Sequence, residues 1–361
     1  MKIVLLIIVC LIALAWLFTR LVLTGEDLRR FDTGNGQRFA TGRPESTGLA
    51  GAMARLASTN VPRPGLSRQQ QIYVKRRLFD SMFDDLVYEA RFTPVDNADA
   101  RGEWVAAPGA DPDRRMLYIH GGGMVVGSAR SHRPITVRMS ALSGGAVLAI
   151  DYRLMPEHHR LRSVEDTRQA YRWMLANGPD GAAAATAIFV AGDSAGGNLT
   201  LSLLPWIRDQ QLRAPNGAIA ISPPTDSTLS SPSIPANAGT DYMLGPAFKS
   251  IARMPRAALL WLSWLHNGIR PNDPVVSPVF GDLSGLPPVL VHVSETEMLY
   301  DDARRYVNRA RAAGSPATLQ SWDNTLHVWH IFDPELPEAG EAYIEIGKFL
   351  AKVAPHQKAP T

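Results

Sequence analysis

The sequence predicts an α/β protein, with a mostly parallel sheet of eight strands flanked by helices, a helical cap and an N-terminal membrane segment. Three observations carry this. From residue 90 onward, short apolar runs rich in strand formers alternate with helical stretches. The fifth of these runs, Ala187 to Ala191, ends in a glycine-rich turn around Ser194 that opens a helix. Residues 3 to 23 form an apolar run with no polar face. A chain of 361 residues, 45% of them hydrophobic, can bury a large core as one α/β domain or as two.

The apolar run spans Ile3 to Phe18 and resumes at Leu21-Val22-Leu23. Its length of roughly 31 Å as a helix matches a bilayer's hydrocarbon core. Lys2 and Ala13-Leu14-Ala15 give it some character of a signal peptide, but cleavage there would leave Trp16-Leu17-Phe18 as a very apolar terminus. The favoured expectation is a single-pass, uncleaved anchor. Arg20, Arg29 and Arg30 lean towards a cytoplasmic domain. Thr33-Gly34-Asn35-Gly36 and Thr41-Gly42-Arg43-Pro44 read as linker.

Residues 45 to 89 carry helical patterns interrupted at Val61-Pro62-Arg63-Pro64-Gly65, and Ser67 is placed to cap a helix over Gln69 to Tyr88. Strands are expected at residues 90–95, 102–107, 115–119, 147–151, 187–191, 217–221, 289–293 and 317–322. The first two would pair antiparallel. Helices are expected at residues 132–143, 163–176, 198–210, 300–313 and 337–352, with Pro205 kinking the third or ending it early. Residues 222–274 break the alternation and read as an insertion. Trp261 and Trp264 within it suit core packing at least as well as an acyl or aryl pocket. The resulting division is an anchor (or signal peptide) at 1–25, linker and helices at 26–89, an α/β unit at 90–353 with an insertion at about 222–274, and a tail at 354–361.

In Gly192-Asp193-Ser194-Ala195-Gly196, small residues flank the serine wherever a side chain would clash, as a sharp strand-to-helix turn requires. Alone, this is also what a glycine-rich turn opening an ordinary helix looks like. His120-Gly121-Gly122-Gly123 follows another apolar run, and three glycines let backbone N–H groups turn inward to hold an oxyanion. The pair is far more specific than either half.

Together with Asp151-Tyr152-Arg153-Leu154-Met155-Pro156-Glu157-His158, Ser277-Pro278 and Gly285-Leu286-Pro287-Pro288, these motifs resemble the hormone-sensitive-lipase-like (bacterial family IV) α/β-hydrolases. Met155 stands where that family usually has alanine. The resemblance covers roughly residues 70 to 350. It implies Ser194 as nucleophile and His327, after the last strand, as its base. Backbone N–H groups of Gly122, Gly123 and Ala195 would form the oxyanion hole, with His120, Gly121 and Asp193 supporting the loop. It also implies that residues 45–89 belong to a cap. The order nucleophile, acid, histidine fits this fold and not a chymotrypsin-like protease. Candidates for the acid are Glu295, Glu297, Asp301, Asp302 and Asp323. The family block aligns Glu297 with its catalytic aspartate, and Asp323 is the runner-up. Asp301 and Asp302 fall in the first turn of a helix, where carboxylates favour the dipole.

The implied activity is hydrolysis of small to medium carboxylic esters without a cofactor. A lactonase or amide hydrolase (deacetylase) using the same triad is the alternative, and a non-catalytic receptor a more distant one. Cys10 is the only cysteine and the histidines lack ligand spacing, so no disulfide or metal site is expected. The net charge of +3 and scattered arginine pairs argue against nucleic acid as a partner.

Overall fold

The computed structural model describes residues 1–34, 36–40, 46–59, 63–248 and 254–355. The linker at 41–44, the Val61-Pro62 break, the start of the apolar stretch at Lys249 and most of the tail lie outside the described residues. Nine strands form one sheet in the order β1-β11-β10-β9-β8-β4-β5-β3-β2. They are β1 (Gln37–Phe39), β2 (Arg91–Asp96), β3 (Arg101–Ala106), β4 (Asp111–Ile119), β5 (Gly145–Ile150), β8 (Ala187–Asp193), β9 (Gly217–Ile221), β10 (Val289–Ser294) and β11 (Ala317–Trp322). A two-residue hairpin, β6 (Asn177–Gly178) with β7 (Gly181–Ala182), stands apart. Only β2–β3 and β3–β5 pair antiparallel in the main sheet.

The ninth strand is a correction to the expected eight. Gln37–Phe39, in a stretch read as linker, runs parallel to β11 at the sheet edge, with Phe39 opposite Trp322. Three residues are too few to show a period in sequence. Their side chains still engage, since Phe39 stacks on Trp322 at 4.4 Å.

Successive residues of the central strands point to opposite faces, and both faces are covered, which is why these strands read as unbroken apolar runs. Met116 and Tyr118 of β4 pack with α4 (Arg133–Ser143) and α11 (Pro337–Val353). Leu117 and Ile119 pack with α5 (Arg160–Ala176) and α6 (Ala195–Asp209) on the other face. There α10 (Tyr300–Ala312) continues the layer over β9 and β10. Leu117 is fully buried, so Leu117→Ala should cost about 2–5 kcal/mol.

The elbow helix does not end early at Pro205, and the helix capped by Ser67 is shorter than expected. α6 runs through Pro205 to Asp209, because its apolar residues Leu199, Leu203 and Ile207 hold it against the sheet on both sides of the proline. The helix capped by Ser67 is α3 (Arg68–Asp80), with the Ser67–Gln70 capping box formed. It stops at Asp80 rather than Tyr88, and turns then carry Met82 and Phe83 into the core.

Beyond the carboxyl ends of the strands lie α2 (Leu49–Thr59), α3, and the short α7 (Ser233–Ala236), α8 (Gly245–Phe248) and α9 (Arg256–Asn267). The apolar run forms α1 (Lys2–Phe18), continued by a wider helical turn over Thr19–Leu23. That 22-residue helix is long and apolar enough to cross a membrane, and nearly all of it is exposed. Residues after it lie on the body: Leu28 and Phe31 join the core beneath α10, and Arg305 pairs with Asp32.

Candidate active site

Five loops leave the carboxyl ends of five neighbouring strands, β4, β8, β9, β10 and β11, and meet over a single point. This is where parallel sheets bind ligands. The loops bring Gly121 to Gly123, Ser194, Ser222, Glu297 and His327 together.

Ser194 follows β8 directly with φ 49°, a strained conformation for a residue with a Cβ. The turn is forced by how closely the helix start approaches β4. A Cβ on Gly196 would lie 1.8 Å from the Ile119 carbonyl oxygen, so only glycine fits. Ser194 Oγ lies 2.9 Å from His327 Nε2, and His327 Nδ1 lies 3.1 Å from Glu297 Oε2. Glu297 and His327 are nearly inaccessible, and Ser194 is half-buried.

Burial pushes the His327 imidazolium down, but the charge and hydrogen bond of Glu297 outweigh it, aided by Asp241 and Asp193. The net direction is upward. Burial raises the Glu297 carboxyl, against the opposing pull of His327 and of the Ser222 hydroxyl. Ser222 Oγ donates to Glu297 Oε2 at 2.9 Å and accepts from the Val328 N–H at 3.2 Å. One hydroxyl thus ties the acid to the backbone that carries His327.

The other acid candidates sit elsewhere. Glu295 binds Arg38 and Ser321, and Arg38 also lies 3.8 Å from Asp323. Asp301 accepts from the Ser233 N–H, and Asp302 accepts from Thr225 N–H, Asp226 N–H and Ser231. These two therefore clamp the start of the 222–274 segment to α10, a more specific task than favouring a helix dipole. Burial, together with the Asp226 charge, pushes Asp302 up to about 7.

Gly122 and Gly123 adopt φ 101° and 63°, conformations open to glycine. Their N–H groups meet no protein acceptor among the described residues, and the Ala195 N–H is free as the first of a helix. Asp193 fixes the loop's start, its Oδ1 accepting from Gly121 N–H at 3.1 Å and from Tyr118 OH at 2.6 Å. Burial raises this carboxyl, but His132, Tyr118 and His120 outweigh it and hold it below the ordinary range. His120 stacks on Tyr152 at 4.2 Å, and its carbonyl accepts from Tyr152 OH. Burial, with the nearby His132, takes His120 down to about 3, so it stays neutral and structural.

Ser194, His327, Gly122, Gly123 and Ala195 line a cavity of ≈ 510 Å³ whose walls are otherwise mostly apolar. Phe79 and Met82 enter from the segment before β2, and Ile234, Met243 and Leu259 from the 222–274 segment. A larger cleft of ≈ 730 Å³ around Asp151 and Arg153 is polar and contains no nucleophile beside a base. Trp261 and Trp264 do not line the catalytic cavity. They pack on Phe18 at the end of the apolar helix, at 5.4 and 5.1 Å. Among the described residues no cluster of His, Cys, Asp and Glu could hold a metal. Ser222, Tyr118 and His132 belong to the site although nothing in their local sequence marks them.

The chain belongs to the α/β-hydrolase-fold family, whose model matches residues 116–331, and within it to the hormone-sensitive-lipase-like branch. It is 38% identical over 249 residues to an acetyl-hydrolase of Streptomyces hygroscopicus, covering 69% of this chain and 78% of that protein. A carboxylesterase/phospholipase, LipF, of Mycobacterium tuberculosis is 34% identical over 265 residues, or 72% of this chain and 68% of LipF. Among solved structures, an esterase from the bacterial hormone-sensitive lipase family superposes with TM-score 0.71 at 34% identity. That match covers 86% of this chain and 99% of the esterase.

Proposed function

We propose that this carboxylic-ester hydrolase cleaves small to medium acyl esters with Ser194 as nucleophile, His327 as general base and acid, and Glu297 as the triad acid. The observation that carries the reading is the unbroken chain of contacts from Ser194 Oγ to His327 at 2.9 Å and on to Glu297 at 3.1 Å. His327 takes the hydroxyl proton at Nε2 while Nδ1–H donates to Glu297. Ser194 Oγ attacks the ester carbonyl, and the N–H groups of Gly122, Gly123 and Ala195 receive the developing oxyanion. His327 then protonates the leaving alcohol. A water, deprotonated by the same nitrogen, attacks the acyl-enzyme and releases the acid. Losing one oxyanion donor should cost about 2.7–4 kcal/mol in the barrier.

Two further assignments belong to this reading. Residues 3–23 anchor the protein in a membrane, supported by the length and exposure of the helix. The helices within residues 26–89 and the 222–274 segment together form the cap, supported by their side chains lining one cavity with Ser194.

Turnover of a panel of p-nitrophenyl esters, lactones and aryl amides by the wild type and Ser194→Ala tests the reading. Ester turnover is expected to dominate and to vanish in folded Ser194→Ala. Faster turnover of lactones or amides would reassign the substrate class, and ester turnover surviving in the variant would end the assignment.

A further inference from the structure

The cap helix α9 gathers Arg256, Ser263 and Asn267 into one polar stripe and is mostly apolar around the rest of its circumference. One face, with Arg256 and Leu259, lines the catalytic cavity. A second carries Trp261 and Trp264, which pack on Phe18, and Trp261 Nε1 donates to Thr19 Oγ1 at 2.8 Å. The third carries Leu262 and Leu265, which are 53% and 69% exposed. The protein buries Leu260 and packs the two tryptophans on Phe18, but leaves this third apolar face uncovered.

Its depth relative to a bilayer follows from what it touches. Phe18 ends α1 and Thr19 opens the wider turn that continues it, and Arg20, the first cation after α1, lies over the Trp16 ring at 5.6 Å. A cation and tryptophans at that level belong at the headgroup boundary. The contacts with Phe18 and Thr19 put α9 at the same level. The cavity's lips share this composition: Leu229, Phe248 and Met254 line it and are also exposed.

We propose that α9 lies in the bilayer surface beside the anchor, with Leu262 and Leu265 in the acyl region, so that the catalytic cavity loads esters dissolved in the lipid phase. This rests on the anchor and esterase readings above and adds the source of the substrate. Such a helix binds through buried apolar area, and two leucines on a pre-anchored helix add to an attachment already made. The ester then moves from acyl chains to Ser194 along an apolar wall rather than through water.

The test uses the full chain reconstituted in vesicles of phosphatidylcholine and phosphatidylglycerol. Because Cys10 is the only cysteine, Cys10→Ala combined with Leu265→Cys takes a single environment-sensitive fluorophore. The label is expected to emit as in an apolar medium and to be quenched by nitroxide-bearing lipids. In parallel, Leu262→Ser with Leu265→Ser should leave hydrolysis of p-nitrophenyl acetate unchanged. The same pair should lower hydrolysis of vesicle-dissolved p-nitrophenyl decanoate about tenfold. A water-like, unquenched label overturns the docking, and an unchanged decanoate rate in the double variant overturns the loading. Failure of the underlying readings looks different: a full chain that does not sediment with vesicles removes the anchor, and a wild type inert to the acetate removes the esterase.

Discussion

At the floor of the cavity Ser194, His327, Glu297 and Asp193 each hold two or more hydrogen bonds, in loops leaving the tips of adjacent strands. At its mouth Leu229, Phe248 and Met254 are apolar, exposed and carried by short helices and turns. The proposed proton transfer and attack need atoms at the floor held to within fractions of an ångström. The mouth asks only for apolar surface of suitable size. Substitutions at the floor should therefore destroy rate, and those at the mouth should shift which ester is preferred.

The largest effect is expected from Ser194→Ala, a fall in kcat of roughly 10⁴–10⁶-fold with an unchanged unfolding midpoint. Glu297→Gln should lower kcat on the order of 10⁴-fold, while Asp323→Asn stays near normal. Reversal of those two results would transfer the acid's role to Asp323. The same variant gives a pH test. In the proposed mechanism His327 must be neutral to act as base, and the Glu297 charge holds its pKa above the ordinary value. The rate should therefore fall as pH drops through that raised pKa. In Glu297→Gln the imidazolium loses its anion, so the acid limb of kcat/KM should move to lower pH. A limb that does not move would detach Glu297 from His327.

Ser222→Ala should cost less, about 10- to 100-fold in kcat with KM held, as expected for a hydroxyl bound to a charged group. A purely structural role for Ser222 would lower the unfolding midpoint without that split. The smallest effect belongs to the mouth. Phe248→Ala or Met254→Ala should change kcat/KM by less than about tenfold and by different factors for short and long acyl chains. A uniform loss across chain lengths would contradict the division between floor and mouth.

Much of the floor could be read in the sequence because backbone geometry dictates residue type there. The Gly196 Cβ would strike the Ile119 carbonyl and Gly122 needs its positive φ, so both leave fixed letters. Ser222 leaves none. Its partners lie 75 and 106 positions away, and a serine after a strand is commonplace. Trp261 and Trp264 read as core or pocket residues because their partners on the apolar N-terminal helix are more than 200 positions distant, and only the fold brings Thr19 to Trp261. Asp301 and Asp302 fall in the first turn of α10 as the sequence predicts, yet their clamp on residues 225–233 depends on a loop whose path no local pattern encodes. The α/β class and the central strands were legible because burial on both faces leaves long apolar runs. β1 was not, since three edge residues carry no period.

The most direct measurement is covalent labelling of the full chain with a p-nitrophenyl phosphonate ester, followed by peptide mass mapping. One adduct is expected, on Ser194, forming in step with loss of ester turnover and much more slowly in Glu297→Gln. An adduct on another residue, or full inactivation with Ser194 unmodified, would contradict the assignment of the nucleophile and the triad with it.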